Sequence, residues 1–348
     1  MDSDKWETLI FFNGIAIFFI VIYHELGGFT TNPLYFIEPY LESLGLTLFT
    51  FSAGYKLFYN HHEELNQKPF LGEYFLKRFI RLYKPYLGYS LLIFIPLLIV
   101  TYVTVYIFHF NFDRATTFIN LTSNMSSLNL IEFLLGNNPI TSHLWYLVAL
   151  IGITSICFSI LYFKSIHWLF YLFIPFLLLS LWIRLNDVGA GHVDRIIMFY
   201  LPFFIFGIYY SYSEQNQKNN WFKTTKFYSP LFFLIVFILA IILRDNAMVH
   251  TTLLIVICFL FPFFLFAIFN YVKKVRFVSH FLIFCGVYSF QIYLFHVPLC
   301  LPILSRFITG IMKINYVFMP LLISIFGIYF SVFTYKVIKK IHLNILFE

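Results

Sequence analysis

Residues 6–23 read WETLIFFNGIAIFFIVIY, and this run decides the fold. From Leu9 to Tyr23 it carries no charge, and Asn13 is its one strongly polar side chain. About 20 such residues, coiled as a helix, cross the roughly 30 Å hydrocarbon layer of a bilayer. His24 and Glu25 follow directly, without a small-x-small cleavage pattern. The segment therefore reads as a retained membrane helix and not as a removed leader.

The pattern recurs along the chain. Apolar spans are predicted at 39–58, 86–108, 144–163, 168–185, 196–212, 229–243, 250–269, 279–296 and 316–335, which with the first makes ten. None alternates with the period of two that marks an outer-membrane barrel strand. The expected fold is all-α, a polytopic helix bundle forming one domain over residues 1–348. Composition points the same way, with 60% apolar residues, 11% charged residues and 49 Phe. A soluble domain carries roughly twice that charged share.

The net charge of +7 does not argue for nucleic acid, because the basic residues punctuate the intervals between spans. They also orient the chain. With the N-terminus inside, seventeen Lys and Arg fall on the inner side and six on the outer side. This bias predicts both termini in the cytoplasm, a cytoplasmic basic loop at 59–85 and an extracytoplasmic loop at 109–143. Cys157, Cys258, Cys285 and Cys300 lie in or beside apolar runs with no CxxC pair, so neither a disulfide framework nor a bound metal is expected.

Polar groups inside such a chain need a reason. Asn13 and His24 are eleven residues apart, three helical turns, so they share one face about 16 Å apart. His24 has the chemistry of a general base near neutral pH; an interfacial histidine satisfied by a neighbour fits the same position. Glu25 points about 100° away on a helix, and reaches His24 only if the chain breaks near Gly27 and Gly28. His143, Trp145 and Tyr146 open the fourth span, either as an interfacial aromatic belt or as the wall of a sugar pocket. Arg78 and Arg81 share a helical face and suit an anionic donor, while topological charge and lipid headgroups explain them equally. Ser289, Gln291, Tyr293 and His296 form a polar stripe on the ninth span.

In combination these segments resemble the acyltransferase-3 family of membrane O-acyltransferases. The resemblance rests on Phe12-Asn13-Gly14 through Tyr23-His24 and on Ser52-Ala53-Gly54-Tyr55. It continues in Lys77-Arg78-Phe79-Ile80-Arg81-Leu82-Tyr83-Lys84-Pro85 and His143-Leu144-Trp145-Tyr146-Leu147, and ends in Tyr288-Ser289-Phe290-Gln291-Ile292-Tyr293-Leu294-Phe295-His296-Val297-Pro298. It implies acyl transfer, with acetyl the expected group, from cytoplasmic acyl-CoA to a hydroxyl of an envelope or exported glycan. The location implied is a bacterial plasma membrane. Catalysis would fall to His24, Glu25 and His296, donor binding to Arg78, Arg81 and position 13, and acceptor binding to His143, Trp145 and Tyr293. The implied partners are membrane lipids, acyl-CoA and a carbohydrate or lipid-linked glycan. The chain departs from the family at Asn13, where an arginine precedes the histidine by eleven positions; asparagine supplies neither its charge nor its fork of donors. A noncatalytic glycan or lipid exporter and a glycan polymerase are the alternative readings.

Overall fold

The computed structural model describes residues 3–27, 32–65, 67–89, 144–186, 193–215, 220–299 and 317–340, and their regular structure is helical. Helix α1 spans Ser3–Gly27. A 3₁₀ turn at Pro33–Ile37, capped by Asn32 accepting from the Leu34 N–H at 2.9 Å, leads into α2 at Glu38–His61. Then follow α3 (Lys68–Tyr89), α4 (Trp145–Phe163), α5 (Ile166–Leu185), α6 (Val193–Gln215), α7 (Asn220–Ile242), α8 (Ala247–Lys274), α9 (Arg276–Val287), α10 (Ser289–Leu299) and α11 (Met319–Lys340).

Among the described residues, five helices (α1, α4, α5, α8 and α11) are long and apolar enough to cross a membrane. A sixth crossing is formed if α9 and α10 count as one bent span. The protein is therefore an all-α, polytopic membrane bundle. Its other helices fall short for different reasons. Helix α2 carries Glu38, Glu42, Thr47, Thr50, Ser52 and Lys56, and it is buried along nearly its whole length. A helix surrounded by protein has no need of a lipid-compatible surface. In α7 the apolar part is short, Tyr228–Ile242.

Helices α2 and α6 form the centre of the packing, and α1 lies against α2, α9 and α11. In hydrocarbon there is no water to drive helices together, so close van der Waals approach carries the association. Two crossings show this. A Cβ on Gly54 of α2 would stand 2.1 Å from the Phe204 carbonyl oxygen, and one on Gly207 of α6 would stand 2.2 Å from that of Phe51. Where α1 meets α9, a Cβ on Gly14 would meet the Leu282 oxygen and one on Gly286 the Ile10 oxygen, each at 1.9 Å. Any larger residue at these positions would force the two backbones apart.

Two expectations are revised. The segment 59–85, expected as a loop, holds the end of α2, a turn and most of α3. Its apolar positions are spaced for an amphipathic helix, which a search for unbroken apolar runs passes over. The expected ninth span, 279–296, is broken: α9 and α10 meet at 74° around Tyr288. The predicted third span from residue 90 onward and the loop at 109–143 lie outside the described residues.

Candidate active site

The last turn of α1 and the half-helix α10 bring two histidines together. The rings of His24 and His296 are 5.1 Å apart between centroids and inclined at 49°. His296 is fully buried. Its Nδ1 lies 3.0 Å from the Ile292 carbonyl oxygen and 2.9 Å from that of Tyr293. A carbonyl only accepts, so Nδ1 carries the proton and Nε2 of the neutral ring is left with a lone pair. That Nε2 is buried and has no hydrogen-bond partner among the described residues. The backbone thus fixes one tautomer and leaves its basic nitrogen open.

Aromatic residues continue inward from the pair. Tyr293 lies 5.9 Å from His296 and 6.2 Å from Tyr146, measured between ring centroids. Tyr146 is anchored to α2: the Thr50 hydroxyl donates to the Leu46 carbonyl at 2.8 Å and accepts from the Tyr146 hydroxyl at 2.8 Å. On its other side Tyr146 is within electrostatic reach of the Arg78 guanidinium from α3. Arg78 is only 7% exposed; it bonds the Tyr74 hydroxyl and sits over the Phe204 ring at 5.7 Å. Its Nε has no partner among the described residues. A line of polar groups therefore joins the basic helix to the histidine pair.

The remaining expected residues divide. Trp145 stacks near Tyr200 at 6.4 Å, beside this line. Arg81 is exposed on α3 and so presents its charge away from the interior. Asn13 lies three turns along α1 from His24, its Oδ1 buried and without a partner among the described residues. Glu25 is 1% exposed, and among the described residues neither of its carboxylate oxygens has a hydrogen-bond partner, so no direct bond from it to His24 is made there. Helix α1 continues to Gly27, and the break that such a bond requires does not occur at Glu25. His143 lies outside the described residues.

Residues that sequence reasoning passed over complete this end of the bundle. Glu42 of α2 is hydrogen-bonded by the Tyr23 hydroxyl, next to His24, and interacts with Arg184 at the end of α5. The His250 ring nitrogen is 3.0 Å from the Tyr40 hydroxyl. A lone acid inside an apolar span was the signal available for Glu42. Among the described residues no three His, Cys, Asp or Glu side chains converge as a metal site.

Comparison with protein families matches residues 9–336 to the acyltransferase-3 family (Acyl_transf_3), described as an acyltransferase domain. The chain belongs to that family. It is an acyltransferase built as a membrane helix bundle, and the match runs from the second turn of α1 nearly to the end of α11. No curated protein and no solved structure matches it.

Proposed function

We propose that this acyltransferase moves an acyl group, acetyl in the first instance, from cytoplasmic acyl-CoA to a hydroxyl of an envelope or exported glycan. The observation that carries the reading is the close His24–His296 pair, in which His296 is buried and its Nε2 has no partner among the described residues. His24 takes the proton of the acceptor hydroxyl. The oxygen forms its bond to the thioester carbonyl carbon, the carbon–sulfur bond breaks, and the thiolate leaves to be protonated as free CoA. His296, held in one tautomer, accepts a hydrogen bond from the acceptor or from the charged His24 ring.

Arg78 and Arg81 hold the donor phosphates, with Arg78 favoured for the inner contact because its Nε is buried and open. Tyr293, Trp145 and His143 flank the acceptor, where aromatic faces suit a sugar ring. Glu25 serves as a nearby proton store, and Asn13 lines the donor side without the charge of the family's arginine. The orientation belongs to the same proposal: ten spans in a bacterial plasma membrane, both termini cytoplasmic, supported by the seventeen-to-six division of basic residues.

The test measures the acyl content of purified surface glycans from matched strains carrying the wild-type gene, a deletion and His24→Gln, with protein abundance followed in parallel. His24→Gln is expected to insert normally and lose about 10²–10⁴-fold in transfer. Wild-type acylation in that strain would sink His24 as the base. Normal acylation in the deletion strain, with glycan missing from the surface, would favour export. Single cysteines at Asn66, Ser127 and His342, in an otherwise cysteine-free and active background, test orientation; labelling of Asn66 only from outside would overturn it.

A further inference from the structure

From Tyr40 to Phe58 helix α2 is buried except at Glu42, Phe49, Ala53 and Lys56, which are half-buried. The spacing of these four positions puts them on one face of the helix. One end of the face is Glu42, bonded by the Tyr23 hydroxyl next to His24. The other end, about 21 Å along the axis, is Lys56.

Two cations of α3 come to the level of Lys56. The Arg78 guanidinium sits over the Phe204 ring at 5.7 Å. The backbone of Phe204 is what Gly54 of α2 touches, two residues before Lys56. Lys56 itself extends its Nζ over the Trp6 ring at 5.3 Å and is within electrostatic reach of both Arg78 and Arg81. Among the described residues none of these three cations forms an ion pair. Glu214, Glu73 and Glu7 go instead to Lys5, Lys77 and Lys273. Like charges gathered from two helices repel one another, and Arg78 keeps a buried Nε without a partner among the described residues. The ligand that relieves both costs is an anion with more than one negative charge. A lipid headgroup at the surface suits exposed Arg81, whereas Arg78, 7% exposed, calls for a phosphate that enters between the helices.

We infer that Lys56 is the third cation of the donor site, contacting the diphosphate of acyl-CoA from α2 while Arg78 and Arg81 contact it from α3. This rests on the acyl-CoA reading and adds a direction to it. With the phosphates at Lys56, the thioester arm runs along the Ala53 and Phe49 face of α2 toward His24.

Coenzyme A binding to full-length protein in phosphatidylcholine nanodiscs, measured by calorimetry across a salt series, tests this. Lys56→Met is expected to weaken binding about ten-fold at low salt, with the gap to wild type narrowing as salt rises. Lys56→Arg keeps the charge and is expected to retain most of the affinity. Lys56→Gln replaces the methionine variant if that one does not elute as a single species. Unchanged affinity without the charge, or a loss of equal size at every salt concentration, overturns the role of Lys56 and leaves the acyl-CoA reading standing. Wild-type protein that does not bind coenzyme A overturns both. Displacement of coenzyme A by an equal concentration of soluble dihexanoyl phosphatidylglycerol would give the three cations to lipid headgroups and overturn the inference.

Discussion

The two ends of the bundle treat their polar groups differently. At the basic end, Glu214 accepts from the Tyr55 hydroxyl at 2.5 Å and pairs with Lys5 at 3.4 Å, while the Gln215 amide donates to the Tyr59 carbonyl. Each of these groups has a partner from another helix. At the end where α1 finishes, both Glu25 oxygens and His296 Nε2 are buried and have none among the described residues. An unmet polar group in hydrocarbon costs several kcal/mol unless something else satisfies it. Satisfied polarity fastens helices. On the proposed mechanism, the substrate meets the unsatisfied groups beside the histidine pair.

The largest expected break in this comparison comes from His296→Asn. The amide retains a donor for the Ile292 and Tyr293 carbonyls but removes the basic nitrogen. Transfer is expected to fall by about 10²-fold or more, with abundance and thermal stability close to wild type; an equal loss of stability would assign His296 to packing. Gly207→Ala comes next and acts on the scaffold. Its Cβ would meet the Phe51 carbonyl at 2.2 Å and force α2 and α6 apart. A loss of about 1–3 kcal/mol is expected, read as a lowered melting temperature in detergent.

Glu25→Gln sharpens the contrast. With no partner to lose among the described residues, the variant is expected to keep its stability, while transfer falls about ten-fold if the carboxyl stores a proton. Unchanged transfer would remove Glu25 from the chemistry. The smallest effect is expected from Lys5→Ala at the basic end. Its ion pair with Glu214 is about a third exposed on each side, so the change should cost at most about 1 kcal/mol and leave transfer intact. A large drop in transfer would mean that this end, too, takes part in the reaction.

Much of this architecture is visible in the chain before any coordinates. Runs such as 144–163 and 250–269 are legible because lipid demands both length and apolarity. Helix α3 is less legible, since an amphipathic helix and a basic loop share a composition. The corner at Tyr288 is hidden because apolar residues run straight through it, and hydropathy does not register direction. His24 and His296 each stand out as a polar exception, but 271 intervening residues separate them and only packing of α1 against α9 and α10 makes them a pair. Glu42 and Arg184 are missed for the same reason, each being plausible alone as an interfacial charge. The Thr50–Tyr146 bond has no sequence signature at all.

The 74° corner between α9 and α10 has a consequence for how this chain tolerates insertion and deletion. Gly286, pressed against the backbone of α1, anchors one side of the corner, and His296 sits ten residues further along. Hydrogen bonds from the Tyr288 N–H to Phe284 and from the Ile292 N–H to Tyr288 carry a helical spacing through the turn. Removing or adding one residue between those points would rotate the imidazole by about 100° and move it about 1.5 Å along the axis, away from His24. Substitutions at many of these positions preserve the count; a single-codon deletion does not. The stretch from Gly286 to His296 therefore behaves as a ruler whose length is under tighter constraint than its letters.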